Sequence, residues 1–306
     1  MCGPLFFIIY INDLLKLKIN SQIFAYADDT ALVCSSFNRN TLKMKLHDDL
    51  NKVSEWLIKN KLLINNSKSK CISFFATEEK NRLTVEFNLA CHNHQCIYSC
   101  ICSPIDVVEY VKYLGLHIDY QLKWDQQIKY LSSKINKINY SLYYIRGFLK
   151  KEYLKQLYIS WVESTIRYGI IHFGGTNPTV LKPLILAQRF ALRNICFLRR
   201  YDHVSHLFSE HNLLTFDQLY RYSCILHIYK FFENYSLRAY PVNTRASSCM
   251  SLLLPNFRKD NSRRQYCYNG KIVFNTVTKK FGNHILLDKK PKFKMKIKSA
   301  LMDGEL

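Results

Sequence analysis

The chain has 306 residues, 48% of them hydrophobic and 14% aromatic, which excludes a wholly disordered polypeptide and leaves room for a real core. Lysine and arginine number 44 against 23 aspartates and glutamates, a formal net charge of +21. A surplus of that size repels itself in a compact state unless polyanions offset it, so nucleic acid is the expected partner; the plainer alternative is a protein that is merely basic.

Eleven cysteines are scattered along a chain too long to depend on a disulfide framework. The opening apolar run lacks a basic leader and a small-residue cleavage site, and Asn12 and Asp13 interrupt it before it could span a bilayer. An intracellular, reducing setting with mostly free thiols is expected, in the nucleus or the cytoplasm.

In chain order, Leu5–Leu15 reads as a buried helix. Between Ile23 and Val33, two short apolar runs flank Asp28 and Asp29, the pattern of a β-hairpin with acidic residues at its turn. Leu42, Leu46, Leu50, Val53 and Leu57 recur at three- and four-residue steps, which predicts an amphipathic helix over Thr41–Leu57. A short strand is expected at Cys71–Phe75. The stretch from Glu78 to Ile105 is polar and irregular, and holds Cys91, His92, His94, Cys96, Cys100 and Cys102. Thiolates and imidazoles are zinc ligands, but this spacing fits no familiar zinc pattern, and chance clustering is the favoured reading. Val107–Asp119 alternates around Gly115 as two strands and a turn.

Beyond Trp124 the character turns helical, with stripes from Ile128 to Leu149, Tyr153 to Thr165, Leu181 to Leu198 and Phe216 to Phe232. From Arg238 the chain is basic and weakly periodic, so little order is expected there. The organisation is a mixed α/β part over residues 1–120, a helical part over 121–237 and a basic tail over 238–306.

Asp28-Asp29 is the sharpest chemical feature. Two adjacent carboxylates repel unless a cation lies between them, and Mg²⁺ prefers such hard oxygen ligands. Paired metals activate the attacking and leaving oxygens in phosphoryl transfer. An isolated Asp-Asp pair, however, is ordinarily a solvated turn. The context here is Gly3-Pro4-Leu5-Phe6 running to Tyr10-Ile11-Asn12-Asp13-Leu14 upstream, then Tyr26-Ala27-Asp28-Asp29. Asn65 to Lys68-Ser69-Lys70 and Tyr113-Leu114-Gly115-Leu116 follow.

In that order and spacing, these blocks resemble the palm of non-LTR (LINE-type, jockey/CR1-like) retrotransposon reverse transcriptases. Residues 146–149, 164–169 and 186–193 are similar to the helical thumb of the same elements, and 264–275 is loosely similar to their closing segment. The resemblance implies an α+β fold: part of a reverse-transcriptase palm, a β-hairpin plus helices, followed by a mainly α-helical thumb. It implies RNA-directed DNA synthesis with Mg²⁺, an RNA template, a DNA primer and deoxynucleoside triphosphates.

By the same resemblance, Asp28 and Asp29 are catalytic, holding the metal. Lys68 lies near the triphosphate, where it steadies or protonates the leaving pyrophosphate. Tyr26 and Ala27 lie near the primer end and the incoming nucleotide, and the turn of Tyr113, Leu114 and Gly115 holds the primer strand. The family pattern includes a further metal-binding aspartate on an earlier strand, and fingers with a Pro-Gln-Gly turn. The sequence from Met1 carries neither, so a truncated chain unable to polymerise alone is expected, and Asp13 is not expected to substitute.

The rival function is nucleic-acid binding without catalysis. Tyr140, Tyr143, Tyr144, Tyr153 and Tyr158 would stack on or skirt nucleic acid while Lys129, Lys134, Lys137, Lys150, Lys151 and Lys155 supply charge. The plain alternative makes most of these rings core aromatics.

Overall fold

A computed structural model describes residues 2–62, 64–65, 67–74, 105–237, 251–257 and 260–306. The Cys/His cluster at 91–102 lies outside the described residues. The chain divides into two compact units, Met1–Leu122 and Lys123–Leu306.

In the first unit, helix α1 (Gly3–Ile11) has Pro4 in its first turn, where a missing N–H costs nothing. A 3-10 turn, Leu14–Lys16, follows, with an exposed Asp13–Lys16 ion pair at 3.4 Å. Strands β1 (Gln22–Tyr26) and β2 (Asp29–Val33) pair antiparallel, with Tyr26 opposite Asp29. Helix α2 (Arg39–Lys59) starts where the Asn38 side chain accepts the Asn40 N–H at 2.8 Å. β3 (Lys70–Cys71) pairs in parallel with β4 (Asp106–Val107). β5 (Tyr110–Tyr113) and β6 (Leu116–Asp119) form a second antiparallel hairpin. These are three separate two-stranded sheets beside helices, an α+β arrangement.

Among the described residues of this unit, the buried apolar side chains are Leu14, Val53 and Ile105. Ile105 is buried against Leu46, Leu50, Ile64 and Cys71, so the stripe expected on α2 does face inward. Two expectations change. The helix at residues 3–11 forms, but none of its residues is buried, and Leu5, Phe6, Ile8 and Ile9 are each about 60% exposed. It is apolar on every side, and a helix of that kind is buried only where neighbours surround it. Of the strand expected over Cys71–Phe75, Phe75 lies outside the described residues, and over the rest the pairing reaches only from Lys70 to Cys71, opposite the two residues of β4; Phe74 is half exposed.

The second unit is helical. α3 (Asp125–Ile145) comes first, then α4 (Lys151–Leu157), which runs through a π-helical stretch, Tyr158–Glu163, into α5 (Ser164–Arg167). α6 (Ile170–Phe173), α7 (Pro178–Ile195), α8 (Ser205–Glu210) and α9 (Phe216–Lys230) follow. The chain closes with α10 (Asp260–Arg263), α11 (Tyr266–Phe281) and α12 (Lys290–Met302). Ile128, Leu131, Ile135 and Leu142 form the buried stripe of α3, which packs on α7 with its buried Leu184, Ala187 and Ala191. Two buried amides tie the pair: the Asn139 side chain donates to the Ala187 carbonyl, and the Asn194 side chain to the Asn139 carbonyl, each at 3.0 Å.

The C-terminal stretch is more ordered than its composition suggests. α9 begins with a capping box of Thr215 and Gln218, and the Gln218 amide also donates to the Leu301 carbonyl at 2.7 Å, near the end of α12. Phe274, Val277, Phe293 and Ile297 are fully buried, and Tyr229 of α9 stacks on Phe293 with centroids 4.0 Å apart. Helical spacing is present in residues 266–302; dense lysines mask it in the sequence. Among the described residues, no helix is long and apolar enough to cross a membrane.

Gln188 shows what a polar core residue contributes. Its buried amide donates to the Tyr158 hydroxyl and to the Leu214 carbonyl, both at 3.1 Å, and Tyr158 is completely buried. Gln188→Leu keeps the bulk but removes the donor from both acceptors. A loss of about 2–3 kcal/mol is expected, read as a lower urea midpoint with an unchanged slope.

Candidate functional site

The hairpin that carries the acidic pair is anchored from α2. Asp49 lies among the apolar positions of that helix and is completely buried. Its carboxylate accepts the Asn20 backbone N–H at 2.9 Å and the Asn20 side chain at 3.0 Å. It also accepts the Ser21 backbone N–H at 2.7 Å and the Ser21 hydroxyl at 2.5 Å. Burial alone would push the carboxyl's pKa up. The hydrogen bonds from the Ser21 side chain, then from Asn20 and the Ser21 backbone, outweigh it and hold the carboxyl below its ordinary range. The two residues leading into β1 are thereby fixed to α2.

At the other end of β1, the pairing of Tyr26 with Asp29 leaves Ala27 and Asp28 as a two-residue loop. Ala27 has φ +52° and Asp28 does not take a positive φ, the φ pattern of a type II′ turn, which suits strand twist. Along β1 half-buried and exposed residues alternate, so Tyr26 stands 67% exposed beside the turn. Asp28 and Asp29 are both exposed, and neither takes part in an ion pair among the described residues.

Lys68 stands on a loop organised by Asn65. The Asn65 carbonyl accepts the N–H groups of Lys68 and Ser69 at 3.2 and 3.0 Å, and the Asn65 side chain also accepts the Lys68 N–H at 3.1 Å. The lysine side chain is exposed and pairs with neither aspartate. Tyr113, Leu114 and Gly115 lie on the β5–β6 hairpin, a sheet separate from β1–β2. Leu114 and Gly115, with φ of +45° and +80°, form its two-residue loop, both positive as in a type I′ turn. The candidate residues thus occupy three loops of the first unit, with Tyr26, Ala27, Asp28 and Asp29 gathered in one turn.

Gly115 is held by conformation. A side chain at that φ costs about 1–2 kcal/mol, so Gly115→Ala is expected to destabilise the hairpin by that amount, seen as faster amide exchange across residues 110–119.

The acidic turn suits Mg²⁺ in donor type. Mg²⁺ is commonly held by one or two carboxylates, with water and substrate phosphate completing its six ligands. Among the described residues, no group of three or more His, Cys, Asp or Glu side chains gathers as a metal site. Asp28 and Asp29 are of the donor type that fits a metal whose remaining ligands are water and substrate phosphate.

Asp49, Asn20 and Ser21 were not foreseen as parts of the site's support. The signal was a carboxylate placed three residues after Leu46 and four before Val53, on the apolar stripe itself, where an acid needs donors.

Residues 1–135, which include both hairpins, match the family model of reverse transcriptase (RNA-dependent DNA polymerase). The first 135 residues are therefore similar to reverse transcriptases, a match that covers less than half of the chain. No curated protein and no solved structure matches the chain.

Proposed function

We propose that residues 1–122 supply the metal-holding turn and the primer-side turn of an RNA-directed DNA polymerase of the LINE-type retrotransposon class. The observation that carries this reading is the acidic turn, with Asp28 in its two-residue loop and Asp29 opening β2, both exposed and outside any ion pair among the described residues, within residues that match the reverse transcriptase family. Asp28 and Asp29 would hold Mg²⁺, which when bound polarises the attacking hydroxyl and the leaving oxygen. Tyr26 and Ala27 border the incoming nucleotide and the primer end. Lys68 neutralises charge on the triphosphate, and the turn at Tyr113–Gly115 holds the primer strand. The template is RNA, the primer DNA, and the substrates are deoxynucleoside triphosphates.

The donor set also sets the level of activity. With two carboxylates and no third ligand among the described residues, the full chain alone is expected to extend a primer on an RNA template weakly or not at all. The same observation favours a second reading, nucleic-acid binding without catalysis.

Photocrosslinking separates the two. A photoreactive deoxynucleoside triphosphate, with primer, RNA template and Mg²⁺, is expected to label peptides containing residues 26–29 or 65–70. Labelling elsewhere, or labelling indifferent to Mg²⁺, would sink the polymerase reading and leave the binding one.

A further inference from the structure

The second unit leaves a group of aromatic rings in water that its fold does not use. Tyr140, Tyr143 and Tyr144 are 65%, 53% and 58% exposed. They lie at i, i+3 and i+4, with Tyr140 and Tyr144 opposite the buried stripe of α3 and Tyr143 on its flank. The Tyr140 and Tyr144 rings sit 4.6 Å apart with their hydroxyls hydrogen-bonded at 3.0 Å, and Tyr143 meets Tyr144 edge-on at 6.0 Å. Arg146 lies over the Tyr143 ring at 4.3 Å and within 5.8 Å of the Phe197 ring, just beyond α7. Three tyrosines held in mutual contact and left more than half exposed form a patch of the kind that marks a binding site.

The charge around the rings identifies the occupant. Along the same face of α3, toward its N-terminus, stand the exposed Lys129 and Lys137, and Arg146 follows at the far end. Asp125 is the single acidic residue of the helix. A stripe of cations leading to exposed rings matches a phosphate backbone with bases that need a stacking partner. Bases inside a duplex are already stacked and paired, so rings of this kind serve unpaired ones.

We propose that the Tyr140–Tyr143–Tyr144 face, with Arg146, Lys129 and Lys137, is a binding platform for single-stranded nucleic acid, separate from the acidic turn and independent of whether that turn is catalytic. RNA and single-stranded DNA share the chemistry it recognises.

The test is fluorescence anisotropy with the full chain and labelled 12-nucleotide oligo-rU, oligo-dT and a 12-base-pair duplex. The variants are Tyr140→Leu/Tyr144→Leu, Tyr143→Leu and Tyr140→Phe/Tyr144→Phe. Because the rings are exposed, the variants keep the fold, which circular dichroism checks. The double Leu variant is expected to bind both single strands at least about tenfold more weakly and the duplex nearly as before, and the Phe variant to bind like the parent. Equal loss on rU and dT assigns the platform to bases alone, and greater loss on rU to ribose contacts as well; both outcomes support it. Unchanged single-strand affinity in the Leu variants overturns the proposal. So does a parent dimer that becomes monomeric in the double Leu variant with affinity intact, which would assign the face to self-association. The assay holds neither Mg²⁺ nor deoxynucleoside triphosphate, so its outcome does not depend on the acidic turn and the failure of either reading is seen by itself.

Discussion

Asp49→Ala is expected to remove about 3–5 kcal/mol from the first unit, a large share of what a core built around Ile105 supplies. The carboxylate serves four donors, two on the backbone and two on side chains. Alanine strands the two Ser21 donors at a buried position, where each unmet polar group costs about 1–3 kcal/mol, while the exposed Asn20 donors can turn to water. Hydrogen exchange reports the effect by location: amides of residues 22–33 should lose protection while those of α3 and α7 keep theirs. Asp49→Asn, which retains one acceptor oxygen, should fall between.

Acid offers the same test without mutation. The carboxyl's pKa is lowered in the folded chain, so its contribution is complete above the unfolded value of about 3.9 and is lost as pH falls through the folded value. Hairpin protection should hold from pH 7 to about 5 and decline below about 4. In Asp49→Asn that decline should be much reduced.

Asp28→Asn is expected to lower nucleotide-dependent Mn²⁺ binding by at least the roughly 10–100-fold that the loss of a supporting residue costs a metal site. Asparagine keeps the size and the turn but removes the charge that makes the position a ligand. Since the side chain is exposed and takes part in no ion pair among the described residues, stability should change little. Electron paramagnetic resonance of free Mn²⁺ measures the binding, and a urea melt measures the stability. An affinity loss without a stability loss marks a ligand; neither loss marks an ordinary solvated turn.

What the sequence discloses depends on how locally each feature is determined. The two hairpins are legible because turn chemistry and short apolar or alternating runs act over four to ten residues. The loop at Leu114-Gly115 falls where the alternation around Gly115 puts it, while the first loop is Ala27-Asp28, one residue before the Asp28-Asp29 pair expected at the turn, with Asp29 opening β2. Helices α2, α3, α7 and α9 follow from apolar residues at three- and four-residue steps. The exposure of α1 was hidden because burial belongs to neighbours, and an all-apolar helix reads as core whatever surrounds it. The helices at 266–302 were hidden because Phe274, Val277, Phe293 and Ile297 are few among many lysines.

For the candidate site, residue types and order are visible in the chain, while the support from Asp49 is not, since it depends on a contact across 28 residues from Ser21. The tyrosines of α3 divide in a way that composition does not reveal. Tyr140, Tyr143 and Tyr144 are more than half exposed, whereas Tyr158, on the π-helical stretch, is wholly core.

The measurement that bears most directly on the proposed function is a Mn²⁺ titration of the full chain, followed by electron paramagnetic resonance, with and without primer, RNA template and deoxynucleoside triphosphate. If Asp28 and Asp29 hold a metal that substrate completes, Mn²⁺ should bind at least about tenfold more tightly to the chain with substrate than to either component alone. Binding to the chain that is equally weak with and without substrate would contradict the account and return the acidic pair to an ordinary surface turn.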